Sequence, residues 1–287
     1  MTDAPSIGPA VLFVPASNER ALAKARELPA SALIIDLEDA VAPTAKDDAR
    51  EAMREALRSP MSMPVSVRIN GLDTPWFAED LLAARAIGPN AIVLPKVETA
   101  DDLRMVETAL TEMDAPSTIG LWAMIETPRG VRDVHAVAMA GGRLEALIAG
   151  TNDLVAATGV SADEGRAALR SWLSGIVLAA RCEGLLALDG VRNDWGTPAF
   201  KAEAEEGRRL GFDGKTLIHP AQIEATLAAF RPSDGEIVDA RAIVDAFGRV
   251  GKDVGLVVVD GRMVERLHLH AARRLLARIG TSEGTNP

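Results

Sequence analysis

Two carboxylates set the chemistry this sequence suggests. Glu126 closes the apolar run Ile119–Glu126, and Asp153 closes Ala146–Asp153 within Gly150-Thr151-Asn152-Asp153-Leu154. If those runs are neighbouring strands, the acids lie close together, and unless one holds a proton their repulsion must be offset by a cation. Two oxygen donors with no histidine nearby suit a hard divalent ion such as Mg²⁺, which keeps waters and leaves positions for substrate oxygens. The competing reading makes either acid half of a structural ion pair. Directly after Glu126, Thr127-Pro128-Arg129-Gly130 opens a helical stretch. Proline fits a first turn, and free N–H groups near Gly130 would hold a substrate carboxylate there. Thr127 alone is also a common helix N-cap.

Other run ends carry further candidates. Arg68, in Val67-Arg68-Ile69-Asn70-Gly71, offers a permanent cation. Facing a ligand, it would stabilise an oxygen that gains negative charge, such as an enolate; facing away, it would pair with Glu38 or Asp39. The acids of Asp36-Leu37-Glu38-Asp39-Ala40 cannot all share one face of a strand. One is expected to reach the site through Arg68 or a metal-bound water, and the rest to order the scaffold. Lys96, in Leu94-Pro95-Lys96-Val97, stands where a Schiff-base aldolase keeps its amine. With a metal pair present, ligand binding or pairing with Glu126 is the expectation instead. Asp189 and His219 are expected to orient neighbours, although a structural role explains them as well.

These residues are far apart in sequence, so a scaffold must gather them. They end apolar runs at Ala10–Pro15, Ala32–Asp39, Val65–Asn70, Ala91–Val97, Ile119–Glu126, Ala146–Asp153, Leu185–Val191 and Lys215–His219. Continuous runs such as ALIID and AIVLP are typical of strands covered on both faces. Helical segments rich in Ala, Glu and Arg separate them, and this strict alternation predicts an α/β fold, a TIM (β/α)8 barrel whose strand ends converge on one mouth. A doubly wound open sheet is the alternative, but no G-x-G-x-x-G follows the first strand. The barrel is expected over 1–230 and a C-terminal helical extension or lid over 231–280. That extension would hold a helix around Asp234–Gly248, an apolar run Gly255–Asp260, a turn at Gly261 and a helix Val264–Ile279. A disordered tail is expected over 281–287.

Composition excludes other classes. With 31 Lys and Arg against 41 Asp and Glu, the 287-residue chain carries a formal charge of -10, which argues against nucleic acid and for a small-molecule ligand. Cys182 is the single cysteine; no intramolecular disulfide is possible, and a buried helix thiol is expected. The start MTDAPSIGPA lacks a basic region followed by an apolar one, and no apolar stretch reaches the roughly 18–20 residues of a membrane span. A soluble cytoplasmic protein is the expectation.

Taken in order, Val11–Ala16, IIDLEDAV (Ile34–Val41), VRING (Val67–Gly71), VLPKVE (Val93–Glu98), IETPRGV (Ile125–Val131), GTNDL (Gly150–Leu154), LDGV (Leu188–Val191) and KTLIHPAQI (Lys215–Ile223) resemble the HpcH/HpaI aldolase and citrate lyase β-subunit superfamily, most closely its CoA-ester lyase branch. The resemblance implies a Mg²⁺-dependent barrel, commonly a homotrimer, that cleaves or forms a C–C bond in a malyl, citramalyl or citryl thioester. It also implies that Glu126 and Asp153 bind the metal while Arg68 contacts substrate. In the free-standing lyases a segment resembling G-x-M-[IV]-D-x-P-H supplies an acid from a lid to a neighbouring subunit. Here Gly261-Arg262-Met263-Val264-Glu265-Arg266-Leu267-His268 puts Glu265 for that Asp and Leu267 for that Pro. Glu265 is thus the candidate acid, one methylene longer, or else a solvated helix-start residue. Pro9-Ala10 stands in place of an Arg-Ser pair that often precedes the first run, a departure that bears on thioester binding. A thioesterase, a carrier-dependent subunit and a CoA-free pyruvate aldolase are the alternative functions.

Overall fold

In a computed structural model describing residues 7–161, 164–250 and 253–283, eight parallel strands close into a barrel in sequence order. They are β1 (Ala10–Pro15), β2 (Ala32–Asp36), β3 (Val65–Arg68), β4 (Ala91–Leu94), β5 (Gly120–Ile125), β6 (Leu144–Ala149), β7 (Leu186–Asp189) and β8 (Gly214–Leu217). Closure comes from β1 pairing with β8, Val11 opposite Thr216. Except for β1, each strand stops short of the run read from sequence. The polar end residues turn instead into loops or helix starts, as Asp153 does in helix Thr151–Thr158, which ends on Gly159 in the left-handed region that glycine tolerates (φ 69°).

The two-residue alternation of the strands sorts the buried side chains into two layers. Val11, Ile34, Val93, Trp122, Ile148 and Leu188 fill the barrel. Leu12, Leu33, Val67, Ile92, Leu147 and Ala187 face outward against the surrounding helices. This parity decides which strand-end residues enter the mouth.

Cys182 lies on helix Arg170–Glu183 as expected but is exposed, contrary to expectation. That helix buries Leu173, Ile176, Val177, Ala179 and Ala180, and position 182 falls on its opposite face at 100° per residue. No helix among the described residues is long and apolar enough to cross a membrane.

The chain divides into compact units at Met1–Phe230 and Arg231–Pro287. The second has a core of its own, including Ile243, Phe247, Val257, Val259 and Leu269. Helix Asp234–Gly248 starts with a capping box between Ser233 and Glu236. An antiparallel hairpin follows, β9 (Leu256–Val259) and β10 (Arg262–Glu265), turning at Asp260 and Gly261, both at positive φ (48° and 75°). The last helix therefore begins at Arg266 rather than at Val264, because 262–265 pair as a strand. Of the expected tail, 281–283 continue that helix and 284–287 lie outside the described residues.

Candidate active site at the barrel mouth

Asp36 and Arg68 are direct neighbours across β2 and β3 and share the inward parity. Asp36 receives two parallel bonds from the guanidinium, Nε to Oδ1 at 2.7 Å and Nη2 to Oδ2 at 2.6 Å. The same carboxylate accepts the N–H groups of Glu38 (2.9 Å) and Ala40 (3.2 Å), which orders the following loop. Below the guanidinium lies the Phe13 ring, 4.8 Å from its centroid. The outer nitrogen Nη1 is 3.0 Å from Glu38 Oε2 and 3.8 Å from the exposed Asp39. Asp36, rather than Glu38 or Asp39, is thus the main partner of Arg68. Burial lowers and Asp36 raises the arginine pKa, and the net shift is upward, so the charge is permanent.

Lys96 departs from its expected pairing. Its backbone is left-handed (φ 54°), a conformation disfavoured outside glycine. That turn directs its N–H to Glu126 Oε1 at 2.7 Å. The ammonium pairs with Glu38 Oε1 instead of with Glu126. Glu38, 5 % exposed, thereby bridges Lys96 and Arg68, and burial pushes its pKa up against those cations.

Glu126 sits deep in the mouth, 2 % exposed. A Cβ at Gly150 would collide with its side chain, so glycine is needed where β6 ends. Burial first, then the charges of Asp153 and Glu38, push Glu126 up from 4.5 to about 8. Asp153 lies in the first turn of its helix, half-buried. Its carboxylate makes no hydrogen bond or ion pair among the described residues. The nearby cations Arg68 and Lys96 are engaged mainly by Asp36 and Glu38 and only partly offset Glu126, so beside Asp153 it keeps a proton up to about 8, and a cation held by the two carboxylates would displace that proton. That donor set fits a hard divalent cation. No cluster of three or more His, Cys, Asp or Glu forms a metal cage among the described residues, so such an ion would complete its shell with water and substrate oxygens.

Thr127 is the N-cap of the short helix Pro128–Arg132, and its Oγ1 accepts the N–H of Gly130 at 2.9 Å. That N–H is therefore not open to a substrate carboxylate, which corrects the expectation for Gly130, while Thr127 takes the N-cap role that the sequence also offered. Gly130 is required by packing, since a Cβ there would strike the carbonyl of Val97.

Asp189 does not join the site either. It shares the outward parity of Ala187 and lies against Gly207 of helix Pro198–Leu210. Arg166 Nη1 (2.8 Å) and Lys215 Nζ (3.1 Å) bind it, and Lys215 also donates to Glu203 (2.8 Å) and to the carbonyl of Gly190. Burial would raise its pKa, but Lys215 and Arg166 hold it below the ordinary value. His219 caps the turn that follows β8, its Nδ1 accepting from Ala221 N at 3.1 Å, and stacks on Trp195 at 4.6 Å. Glu265 is exposed at the end of β10 in the second unit, its N–H donated to His268 Nδ1. Reading from sequence passed over Phe13 and the dominant role of Asp36. Counting in twos from Val11 and Ile34 marks both as inward.

The model of the HpcH/HpaI aldolase/citrate lyase family matches residues 9–220. The chain belongs to this family. A (3S)-malyl-CoA thioesterase of Cereibacter sphaeroides is 42% identical over 93% of both chains. The citrate lyase subunit beta of Escherichia coli is 34% identical over 93% of this chain and 92% of its own length. Protein CitE of Mycobacterium tuberculosis, crystallised with magnesium, acetoacetate and coenzyme A, superposes with a TM-score of 0.80 at 33% identity, covering 96% of this chain and 99% of that one. CitE shares the barrel fold and was crystallised with magnesium, and the sequence relatives are named as a thioesterase and a lyase subunit, so magnesium binding and CoA-ester enzymes both occur within the family.

Proposed function

We propose that this protein is a Mg²⁺-dependent carbon–carbon lyase acting on a 3-hydroxyacyl-CoA thioester of the malyl, citramalyl or citryl type, yielding a keto acid and an acyl-CoA. The observation that carries the reading is the incompletely compensated pair Glu126 and Asp153 beside an Arg68 whose orientation is fixed by Asp36. Glu126 and Asp153 are the residues that would hold the ion. Bound there, Mg²⁺ supplies Lewis acidity toward a carboxylate and the adjacent oxygen of the keto-acid half.

The protein's own groups do the rest. Arg68 remains protonated and is held by two bonds, so it stabilises charge developing on an oxygen without reorganising. Lys96, with its side chain 45% exposed at the mouth, adds positive charge for an anionic substrate and holds Glu126 through its N–H. As the C–C bond breaks, an enolate forms on the thioester half and must gain a proton at carbon. The likeness of Gly261–His268 to the lid segment of the free-standing lyases supports Glu265 of a neighbouring subunit as the carboxyl for that step. A homotrimer in the cytoplasm belongs to the same proposal, and light scattering checks the assembly.

A second reading, hydrolysis of the same thioester by water directed at its carbonyl, draws support from the thioesterase relative. One experiment separates them. The purified protein is incubated with Mg²⁺ and malyl-, citramalyl- or citryl-CoA, with an EDTA control, and products are followed by mass spectrometry. The lyase reading expects keto acid and acetyl-CoA together. Free CoA with the hydroxy acid intact establishes the thioesterase, and turnover of CoA-free 4-hydroxy-2-oxo acids alone establishes an aldolase.

A further inference from the structure

The loop that follows β2 carries Glu38 between Arg68 and Lys96, and something must hold that loop against two cations competing for one buried carboxylate. Asp36 accepts the loop's N–H groups at Glu38 and Ala40, and the group that holds its carbonyls is Lys46, in the first turn of helix Lys46–Ala56 and 5 % exposed. Its ammonium donates to the carbonyls of Leu37 (2.7 Å) and Glu38 (2.8 Å) and to Asn70 Oδ1 (2.8 Å). A lysine has three N–H bonds, and all three are used. The ring of Trp76 closes over the ammonium at 5.1 Å.

Lys46 is itself anchored. Asn70 Nδ2 donates to the same Leu37 carbonyl (2.9 Å) and to Asp80 Oδ2 (2.5 Å), and Asn70 N–H also reaches Asp80 (2.9 Å). Asp80, fully buried, is paired with Arg50 at 2.9 Å. A connected chain of polar groups thus runs from Arg50 and Asp80 through Asn70 and Lys46 to the two carbonyls flanking Glu38 along the backbone. Nothing in this chain touches Glu126 or Asp153. Its one outlet toward the mouth is the Glu38 carboxylate, which grips Lys96 and Arg68.

We propose that Lys46 is a positioning residue, which fixes the main chain at Leu37 and Glu38 so that the Glu38 carboxylate spans Arg68 and Lys96 in the arrangement turnover requires. The kinetic part of this proposal rests on the lyase reading; the structural part does not. Displacing a charged group of an active site by about 1 Å costs on the order of 10²-fold, and this sets the scale of the expected effect.

The test compares Lys46→Met and Lys46→Arg with the wild-type protein in two measurements. Steady-state kinetics on the acyl-CoA substrate read kcat and KM. Labelling of Lys96 by a small amine-acylating reagent, mapped by mass spectrometry, reads whether Glu38 still holds that ammonium, and needs no turnover. In K46M, kcat falls roughly 10- to 100-fold with KM little changed, and Lys96 labels several-fold faster. K46R, which keeps a cation at the same carbonyls, recovers part of both. If K46M does not fold, Asn70→Ser, which removes one of the three acceptors, shows the same changes at smaller size. Wild-type kcat and wild-type Lys96 labelling in folded K46M, with only thermal stability lowered, would overturn the proposal. Absence of turnover in the wild-type protein would count against the lyase reading alone, and labelling then decides the role of Lys46.

Discussion

Two ion pairs in this barrel join the same kinds of residue across neighbouring strands, Asp36 with Arg68 on β2 and β3 and Asp189 with Lys215 on β7 and β8. Both are buried, and both are registered directly opposite each other. One residue of parity separates their fates. The inward pair opens onto the mouth, where burial and the charges of Asp153 and Glu38 push Glu126 up to about 8. The outward pair is enclosed by Arg166, Glu203 and helix Pro198–Leu210, and its carboxylate is held below the ordinary pKa. Burial by itself therefore does not mark a functional charge. Whether the surrounding groups compensate it does.

This contrast is open to mutation. The largest effect is expected at the incompletely compensated pair: Glu126→Ala and Asp153→Ala each reduce Mg²⁺-dependent turnover to background in a product assay while circular dichroism shows the barrel retained. At the compensated cluster the loss is of stability. Lys215→Met leaves Asp189 and Glu203 buried without their lysine and is expected to cost about 3–5 kcal/mol in urea unfolding. Asp36→Asn comes next. It removes one of two charge-assisted bonds to Arg68, and kcat is expected to fall by on the order of 10²-fold, with less loss of stability than in K215M.

The last expectation is a pH dependence of the metal-free protein. The Glu126 pKa is raised from 4.5 to about 8, so the folded state binds this proton more tightly than the unfolded chain. Its contribution to stability is full below about 4.5 and is lost as pH rises through about 8. Thermal scans of metal-free protein between those limits are expected to show a falling midpoint, and Glu126→Gln to flatten the slope.

Much of this was legible in the sequence, and the misses have physical reasons. Eight apolar runs in strict alternation with helices were enough for the barrel, because strands buried on both faces read as continuous runs. The same continuity hides parity: in LALD every residue is buried, so Asp189 gives no sign that it faces outward. Its side has to be counted from a strand whose inward face is known. Gly130 looked like an anion cradle, yet Thr127 had already taken its N–H. Lys96 met Glu126 through its backbone rather than its side chain, because a left-handed turn at a lysine leaves no signature in composition. Lys46 and Asn70 were invisible as a unit, being 24 residues apart in sequence and joined only by tertiary packing.

Calorimetric titration of metal-free protein with Mg²⁺ at several pH values, in the wild type and in Glu126→Gln, reads whether Glu126 and Asp153 together hold a divalent cation. Wild-type affinity is expected to rise with pH and level off above about 8, with no binding in E126Q at any pH. Equal binding in both proteins, or wild-type affinity that does not change as Glu126 loses its proton, would contradict that assignment.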